Sequence, residues 1–102
     1  MELGKVVGSV VSTVKDRKLE GRKLLLVNLV DPKLKPGSNN VVAVDTVGAG
    51  VGEVVILVRG SSARQARNMD VVPTDTSIIG IVDALELEGE IVYRKYPSES
   101  SK

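Results

Sequence analysis

The apolar residues of this chain are almost all valine, isoleucine or leucine, and this composition limits the folds open to it. The only aromatic side chains are those of Tyr93 and Tyr96. β-branched side chains favour pleated, half-buried strands over helices because their χ1 angle is restricted. A length of 102 residues allows one small hydrophobic core. The sequence therefore predicts a single all-β domain.

The missing residue types exclude several kinds of chemistry. Without cysteine or histidine, the chain has no disulfide, thiolate nucleophile, Cys/His zinc site, Ser-His-Asp triad or histidine acid/base. Carboxylates, lysines, tyrosines and hydroxyl groups remain, so catalysis by those groups stays open at this point. A formal net charge of +1 and only two aromatic residues argue against a nucleic-acid partner, which needs basic charge or a stacking platform.

The overall balance of polar and apolar residues is that of a soluble protein. Hydrophobic residues make up 42% of the chain and charged residues 26%. No apolar stretch approaches the roughly 20 residues needed to cross a bilayer, and the first residues do not form a basic-then-apolar signal peptide. We expect a cytoplasmic location and no membrane partner.

Runs of aliphatic residues separated by turn-forming residues predict the strands. Gly8 suggests a bulge or bend in the first strand, and the nearly continuous apolar run around Leu25 predicts that both faces of the second strand are covered. The predicted strands are Lys5–Lys15, Arg22–Val30, Val41–Val47, Val54–Arg59 and Ser77–Leu87. The predicted connections are a surface loop over Asp31–Asn40, a glycine-rich loop over Gly48–Glu53, and a short helix capped by Ser61 or Ser62 that ends near Asn68.

This order predicts a small five-stranded OB-like β-barrel with one short helix before its last strand. Glu88-Gly89-Glu90 is expected to turn the chain into a C-terminal β-hairpin arm. We assign residues 1–87 to the barrel domain and residues 88–102 to the arm and a frayed tail.

The glycine-rich loop Gly48-Ala49-Gly50-Val51-Gly52-Glu53 allows two interpretations. It resembles a dinucleotide fingerprint, but Glu53 replaces the third glycine and a strand, not a helix, follows. The favoured interpretation is a tight connection between strands, in which glycines adopt positive φ angles or permit two backbones to approach closely.

Several charged residues could form a site if the fold brought them together. Carboxylates at positions 45, 53, 75 and 83 could bind a hard cation or act as an acid/base pair, although hydrogen-bonded carboxylates at strand ends are favoured. Asp45 and Asp83 lie within apolar strands and should have partners. Arg59, Arg64 and Arg67 are expected to pair with acids on this chain or a neighbouring one.

Four segments in order resemble a known family: KVVGSVVSTVK, LEGRKLLLV, VAVDTVGAGVGEVVILVRGSSAR and IIGIVD. Together they are similar to the ethanolamine-utilisation and carboxysome vertex proteins of bacterial microcompartments, over roughly residues 1–83. The resemblance implies a non-enzymatic shell protein without cofactor or metal. It also implies a cyclic homopentamer that caps the vertices of a polyhedral shell and meets hexameric shell proteins.

The resemblance also suggests which residues make contacts. It places the glycine-rich loop near subunit contacts or the fivefold axis, with Arg64 in a further contact surface. The residues concerned are Gly48, Ala49, Gly50, Gly52, Glu53 and Arg64, with the glycines expected to allow close packing and Glu53 to make a hydrogen bond. Lys33 and Lys35 are candidates for a rim that meets hexameric shell proteins. An equally good interpretation is that these two loop charges only keep the protein soluble.

Two alternative functions stay open at this stage. An OB-like barrel is compatible with a nucleic-acid-binding module, although the charge and the lack of aromatics disfavour one. A small-molecule enzyme or carrier could use Gly48–Glu53, and it would be stabilised by its ligand. If the shell function holds, the segment Ile91–Tyr96 is expected to lie on an adjacent subunit.

Overall fold

The computed structural model describes residues 1–13, 17–19, 21–60 and 75–96. These residues form seven strands and one 3-10 turn, Arg17–Leu19. The strands are β1 (Glu2–Val10), β2 (Lys23–Val30), β3 (Pro36–Asp45), β4 (Val54–Arg59), β5 (Thr76–Ile81), β6 (Ala84–Leu87) and β7 (Glu90–Arg94). The predicted helix, including Arg64 and Arg67, and the predicted tail after Tyr96 lie outside the described residues.

The first five strands close into a barrel in the order β1-β2-β3-β5-β4, with β4 returning to pair with β1. All neighbours are antiparallel except β3 and β5, which run parallel. This is the predicted five-stranded, OB-like, all-β barrel. Within the described ranges, no helix is long and apolar enough to cross a membrane.

Aliphatic side chains from every barrel strand fill the core. Ala49 also belongs to it, although this residue lies in the glycine-rich loop between β3 and β4. The buried cluster comprises Val6, Leu25, Val27, Ala43, Ala49, Val55, Leu57 and Ile78. The loop therefore folds over the end of the barrel and contributes to its packing.

The first strand begins earlier than predicted, at Glu2, and ends at Val10. Residues Glu2 to Lys5 pair with β4, more than 45 residues later, and this pairing closes the barrel. Gly4 allows the close approach, because a Cβ atom there would collide with the Val27 side chain. The predicted bulge is confirmed, since the register with β2 shifts between Val6 and Gly8.

The surface loop predicted over Asp31–Asn40 is shorter, because β3 already begins at Pro36. The Asn28 side-chain amide donates to the Gly37 carbonyl at 3.1 Å and to Asn40 Oδ1 at 2.7 Å, which holds this exposed segment against β2. Gly37 is needed here because a Cβ atom would collide with the Leu29 carbonyl oxygen. Turn-forming residues are therefore compatible with a strand at this position.

The strand predicted over Ser77–Leu87 is two strands, β5 and β6. The Val82 amide donates to the Val54 carbonyl at 2.8 Å, and the chain then leaves the barrel. β6 and β7 form a separate two-stranded sheet, so the predicted C-terminal hairpin is confirmed. Its turn lies at Glu88 and Gly89, which have φ angles of 53° and 83°. The hairpin thus includes residues 84–87, which the sequence analysis assigned to the barrel domain.

The prediction that both faces of the second strand are covered is wrong for the single chain. Leu25 and Val27 point into the core, whereas Leu24 and Leu19 of the 3-10 turn pack against Val44 on the outer face. Leu26, also on the outer face, stays half-buried beside its strand partner Val42, which is 48% exposed. Val7, in the bulge of β1, is 46% exposed. We call Val7, Leu26 and Val42 the outer patch.

Candidate functional site

The glycine-rich loop is bound to the barrel at both ends. At its start, the Thr46 hydroxyl donates to the Ile78 carbonyl at 2.7 Å. At its end, the Gly52 amide donates to the Val6 carbonyl at 2.8 Å, and the Val6 amide donates to the Glu53 carbonyl at 2.9 Å. These bonds join the loop to β1 and β5, the strands on either side of β4.

Two loop positions require glycine for backbone reasons. Gly48 and Gly52 have φ angles of 79° and 95°, in the left-handed region where other residues are strained. A Cβ atom at either position would meet no atom of the single chain within 4 Å. The predicted tight connection with positive φ angles is confirmed, whereas the close packing of these glycines against another subunit stays a prediction.

Asp45, the last residue of β3, organises the first half of the loop. Its side chain is 2% exposed and accepts hydrogen bonds from the amides of Val47 at 3.1 Å and Ala49 at 2.9 Å. Lys23 donates to the Ala49 carbonyl at 2.5 Å, with its ammonium 3.9 Å from Asp45 Oδ2. The predicted need of Asp45 for partners is confirmed, and these bonds hold Ala49 in the core.

Glu53 organises the second half of the loop and connects it to the hairpin. One carboxylate oxygen accepts a hydrogen bond from the Gly50 amide at 2.6 Å, and the other lies 2.6 Å from the Lys95 ammonium. The Lys95 amide donates to the Asp83 carbonyl at 2.7 Å. Glu53 thus makes its hydrogen bond within the chain and also fixes the point where the hairpin leaves the barrel, whereas a role at a subunit contact stays a prediction.

The charges of this ion pair stabilise each other. The hydrogen bond from Lys95, and then that from the Gly50 amide, lower the pKa of Glu53 below its ordinary 4.5. The same contact raises the pKa of Lys95 above its ordinary 10.5. A second ion pair joins Arg59 to Glu2 at 2.7 Å, so the predicted acidic partner for Arg59 is confirmed. The hydrogen bond from Arg59 lowers the pKa of Glu2.

The anchored loop presents mainly aliphatic side chains and backbone to solvent. Val47 and Val51 are exposed, while the carboxylates of Asp45 and Glu53 are occupied by loop amides and lysines. No three carboxylates converge into a metal-binding group in the described part of the chain. The loop leads directly into β4, as predicted, and not into the N-terminus of a helix. Its chemistry suits packing against another surface.

The remaining predicted site residues lie elsewhere. Lys33 and Lys35 are exposed in the loop between β2 and β3, at the opposite end of β3 from the glycine-rich loop. Lys23 and Lys95, which also contact the loop, are not among the predicted site residues. Neither carries a local signal, because each meets the loop only through pairing between strands distant in the chain.

The Glu53–Lys95 pair predicts a pH-dependent position for the end of the hairpin. Because the pKa of Glu53 is lowered, its stabilising contribution is complete above pH 4.5 and is lost as the pH falls through the lowered value. Tyr93 and Tyr96 are the only aromatic residues, so tyrosine fluorescence reports on this region alone. We expect quenching by acrylamide to increase as the pH falls below 4.5.

Two variants provide controls for this experiment. Glu53→Gln should show the increased quenching already at pH 7 and little further change on acidification. Glu2→Gln removes the surface pair with Arg59 and should leave the tyrosine signal unchanged. An acid response in Glu53→Gln equal to that of the wild type would show that this ion pair does not hold the hairpin.

Known proteins resemble this chain in both sequence and fold. A family model described as ethanolamine utilisation protein EutN/carboxysome matches residues 1–83, up to the residue before β6. The bacterial microcompartment shell vertex protein EutN of Escherichia coli K12 is 44% identical over 95 residues, covering 93% of this chain and 100% of the relative.

Two solved structures extend the comparison to three dimensions. CcmL of Gloeobacter violaceus is 40% identical with a TM-score of 0.88, covering 93% of this chain and 98% of that one. GrpN of Rhodospirillum rubrum, described as a pentameric microcompartment shell protein, is 52% identical with a TM-score of 0.78, covering 85% of this chain and 99% of that one.

Barrel topology and sequence identity along most of the chain agree on one class, the small barrel proteins of bacterial microcompartment shells. Within that class, this chain belongs to the EutN/CcmL family of ethanolamine-utilisation and carboxysome shell vertex proteins. The resemblance noted in the sequence is therefore confirmed.

Proposed function

We propose that this protein is a structural component that forms a cyclic pentamer and caps the vertices of a polyhedral microcompartment shell in the cytoplasm. It acts without catalytic turnover or cofactor. The observation that carries the proposal is the outer patch, an aliphatic surface left open on a barrel whose relative GrpN is a pentameric shell protein. Burial of this patch against a neighbouring copy supplies a driving force for assembly.

A fivefold ring also meets the geometrical need of a closed shell. Flat hexagonal tiling has no curvature, so a polyhedron requires fivefold units at its vertices. A ring forms when two different surfaces of one protomer are complementary and the rotation between copies closes. The protomer offers two such surfaces, the outer patch on β1–β3 and the exposed valines of the glycine-rich loop.

We place the glycine-rich loop at the subunit contact near the fivefold axis. Open space around Gly48 and Gly52 allows five copies to approach closely, and Ala49 and Glu53 keep the loop in one conformation. Gly50 contributes the amide that Glu53 binds. Arg64 is proposed to contribute a further contact.

We place the contact with hexameric shell proteins at the other end of the barrel, at Lys33 and Lys35. Asp31 accepts hydrogen bonds from the amides of both lysines at 2.9 Å, and Leu34 between them has a φ angle of 64°. These bonds hold the backbone from which the two exposed lysine side chains project. Such an arrangement suits a complementary acidic edge on a tile.

The nucleic-acid alternative finds no support in the barrel surface. An OB-fold binds single strands through aromatic residues and cations on the face around its second and third strands. Here that face carries Leu26 and Val42, while both tyrosines lie in the C-terminal part of the chain.

Native mass spectrometry tests the pentamer. We expect a species near 54 kDa, five copies of the 10.8 kDa chain. Val42→Glu places a charge in the outer patch and should give a folded monomer, because Val42 is already half-exposed in the single chain. Ser38→Glu, also on β3 but outside the patch, should retain the pentamer. A concentration-independent wild-type monomer would overturn the proposal.

A further inference from the structure

The hairpin extends from the barrel as an acidic arm. Neither of its strands packs extensively on a barrel strand. Glu86, Glu88 and Glu90 surround its turn, all three are exposed, and none takes part in an ion pair within the described part of the chain. Ile91, next to them, is half-exposed. The tip therefore combines three free negative charges with an open aliphatic side chain.

The turn itself retains a carboxylate at an unfavourable position. Glu88 and Gly89 both have positive φ angles, the backbone of a type I′ hairpin turn. Asn, Asp or Gly is the usual residue at the first of these positions, because a longer side chain is strained there. A glutamate here extends its charge beyond the hairpin at some conformational cost, which suggests that the charge meets a partner.

A groove on the barrel has the complementary character. It is formed by residues 9–12 at the end of β1 and residues 22–24 at the start of β2, with a volume of about 290 Å³. Val10, Val11 and Leu24 supply apolar surface, and Val11 is 92% exposed. Arg22 and Lys23 line the same groove, and the Lys23 side chain is 54% exposed although its ammonium also contacts the Ala49 carbonyl and Asp45. Leu24 lies on the same face of β2 as Leu26, so the groove continues the outer patch.

We propose that the acidic hairpin tip of one copy docks in this groove of the next copy. The inference rests on the proposed pentamer and specifies one of its contacts. The tip and the groove match in charge and in apolar surface. No residue of the same chain's hairpin lines the groove, which leaves the groove open to the tip of a second copy. A contact between two different surfaces is the heterologous kind that closes a ring.

Substitutions of opposite charge at Val11 test the docking without disturbing the core. Val11→Glu opposes the acidic tip, and we expect the concentration at which half the chains are pentameric to rise by about tenfold or more. Val11→Lys, of similar size and exposure, should leave this concentration unchanged or lower. Combining Val11→Glu with Glu86→Lys and Glu90→Lys should restore assembly. Equal concentrations for the two Val11 variants would overturn the docking.

Disulfide trapping identifies the occupant directly, because the chain has no cysteine of its own. The double variant Val11→Cys/Glu90→Cys, oxidised as the purified full-length protein, should give a ladder of crosslinked species that ends at five chains. Mixing the two single-cysteine variants should give crosslinked dimers only. A pentameric mass without intermolecular crosslinks would overturn the docking but not the proposed pentamer. A monomeric wild type would instead overturn the proposed function, and the docking with it.

Discussion

Replacing Asp45 with alanine is expected to destabilise the protein by about 2–4 kcal/mol and to release the glycine-rich loop. The substitution leaves the exposed amide of Val47 and the partly buried amide of Ala49 without their acceptor, and a buried donor left unpaired costs roughly 1–3 kcal/mol. Lys23 also loses its charged partner. Thermal unfolding at fixed protein concentration should show a decrease in Tm of about 10 °C or more.

A matched control separates the effect of burying these hydrogen bonds from the effect of losing them. Asp31 also accepts two backbone hydrogen bonds through its carboxylate, from Lys33 and Lys35, but it is exposed. Asp31→Ala should therefore cost about 1 kcal/mol or less, because water replaces the lost acceptor. Asp45→Asn, which keeps one acceptor oxygen, should lie between the wild type and Asp45→Ala. Equal losses for Asp31→Ala and Asp45→Ala would contradict this account of the loop.

Gly4→Ala is expected to destabilise the barrel by about 1–3 kcal/mol, the usual range for overpacking a core. The added Cβ atom would collide with the Val27 side chain and lie 3.1 Å from Leu57 Cδ1 and 3.2 Å from the Asn28 carbonyl oxygen. To avoid these contacts, β1 would have to move relative to its neighbours at the point where it pairs with β4 and closes the barrel. Urea unfolding should show a lower midpoint with a similar m-value.

Gly8 provides the control on the same strand. A Cβ atom at Gly8 would meet only Leu26 Cβ at 3.9 Å, an ordinary van der Waals contact. We expect Gly8→Ala to change the free energy of unfolding by about 0.5 kcal/mol or less, as for substitutions that create no strain. Equal urea midpoints for the two alanine variants would contradict this explanation, because they would show that the close contacts at Gly4 do not destabilise Gly4→Ala.

The barrel could be predicted because its signals are local. A continuous aliphatic run ending at a charged residue defines β4, and its predicted bounds, Val54–Arg59, are those of the structure. The start of β3 could not be predicted, because its turn-forming residues are held by the Asn28 side chain across the sheet. The start of β1 depends likewise on pairing with β4, for which three mixed residues, Glu2 to Gly4, give little local evidence.

The same distinction between local signals and contacts distant in the chain applies to the candidate site. Positive φ angles in the glycine-rich loop and the need of Asp45 for partners follow from neighbouring residues. The attachment of Glu53 to Lys95 does not, because the hairpin returns to the loop only after the barrel has closed. The prediction that the outer face of β2 is covered is wrong for the single chain. The cover is incomplete within one chain, which is the physical basis for proposing a neighbour.

The central claim, that this protein closes a shell by capping its vertices, is tested most directly by electron microscopy of shells assembled from hexameric shell proteins with and without it. We predict closed polyhedra when the wild type or Ser38→Glu is added, and open sheets or tubes when it is omitted or replaced by Val42→Glu. Closed polyhedra of equal number without the protein would contradict the claim.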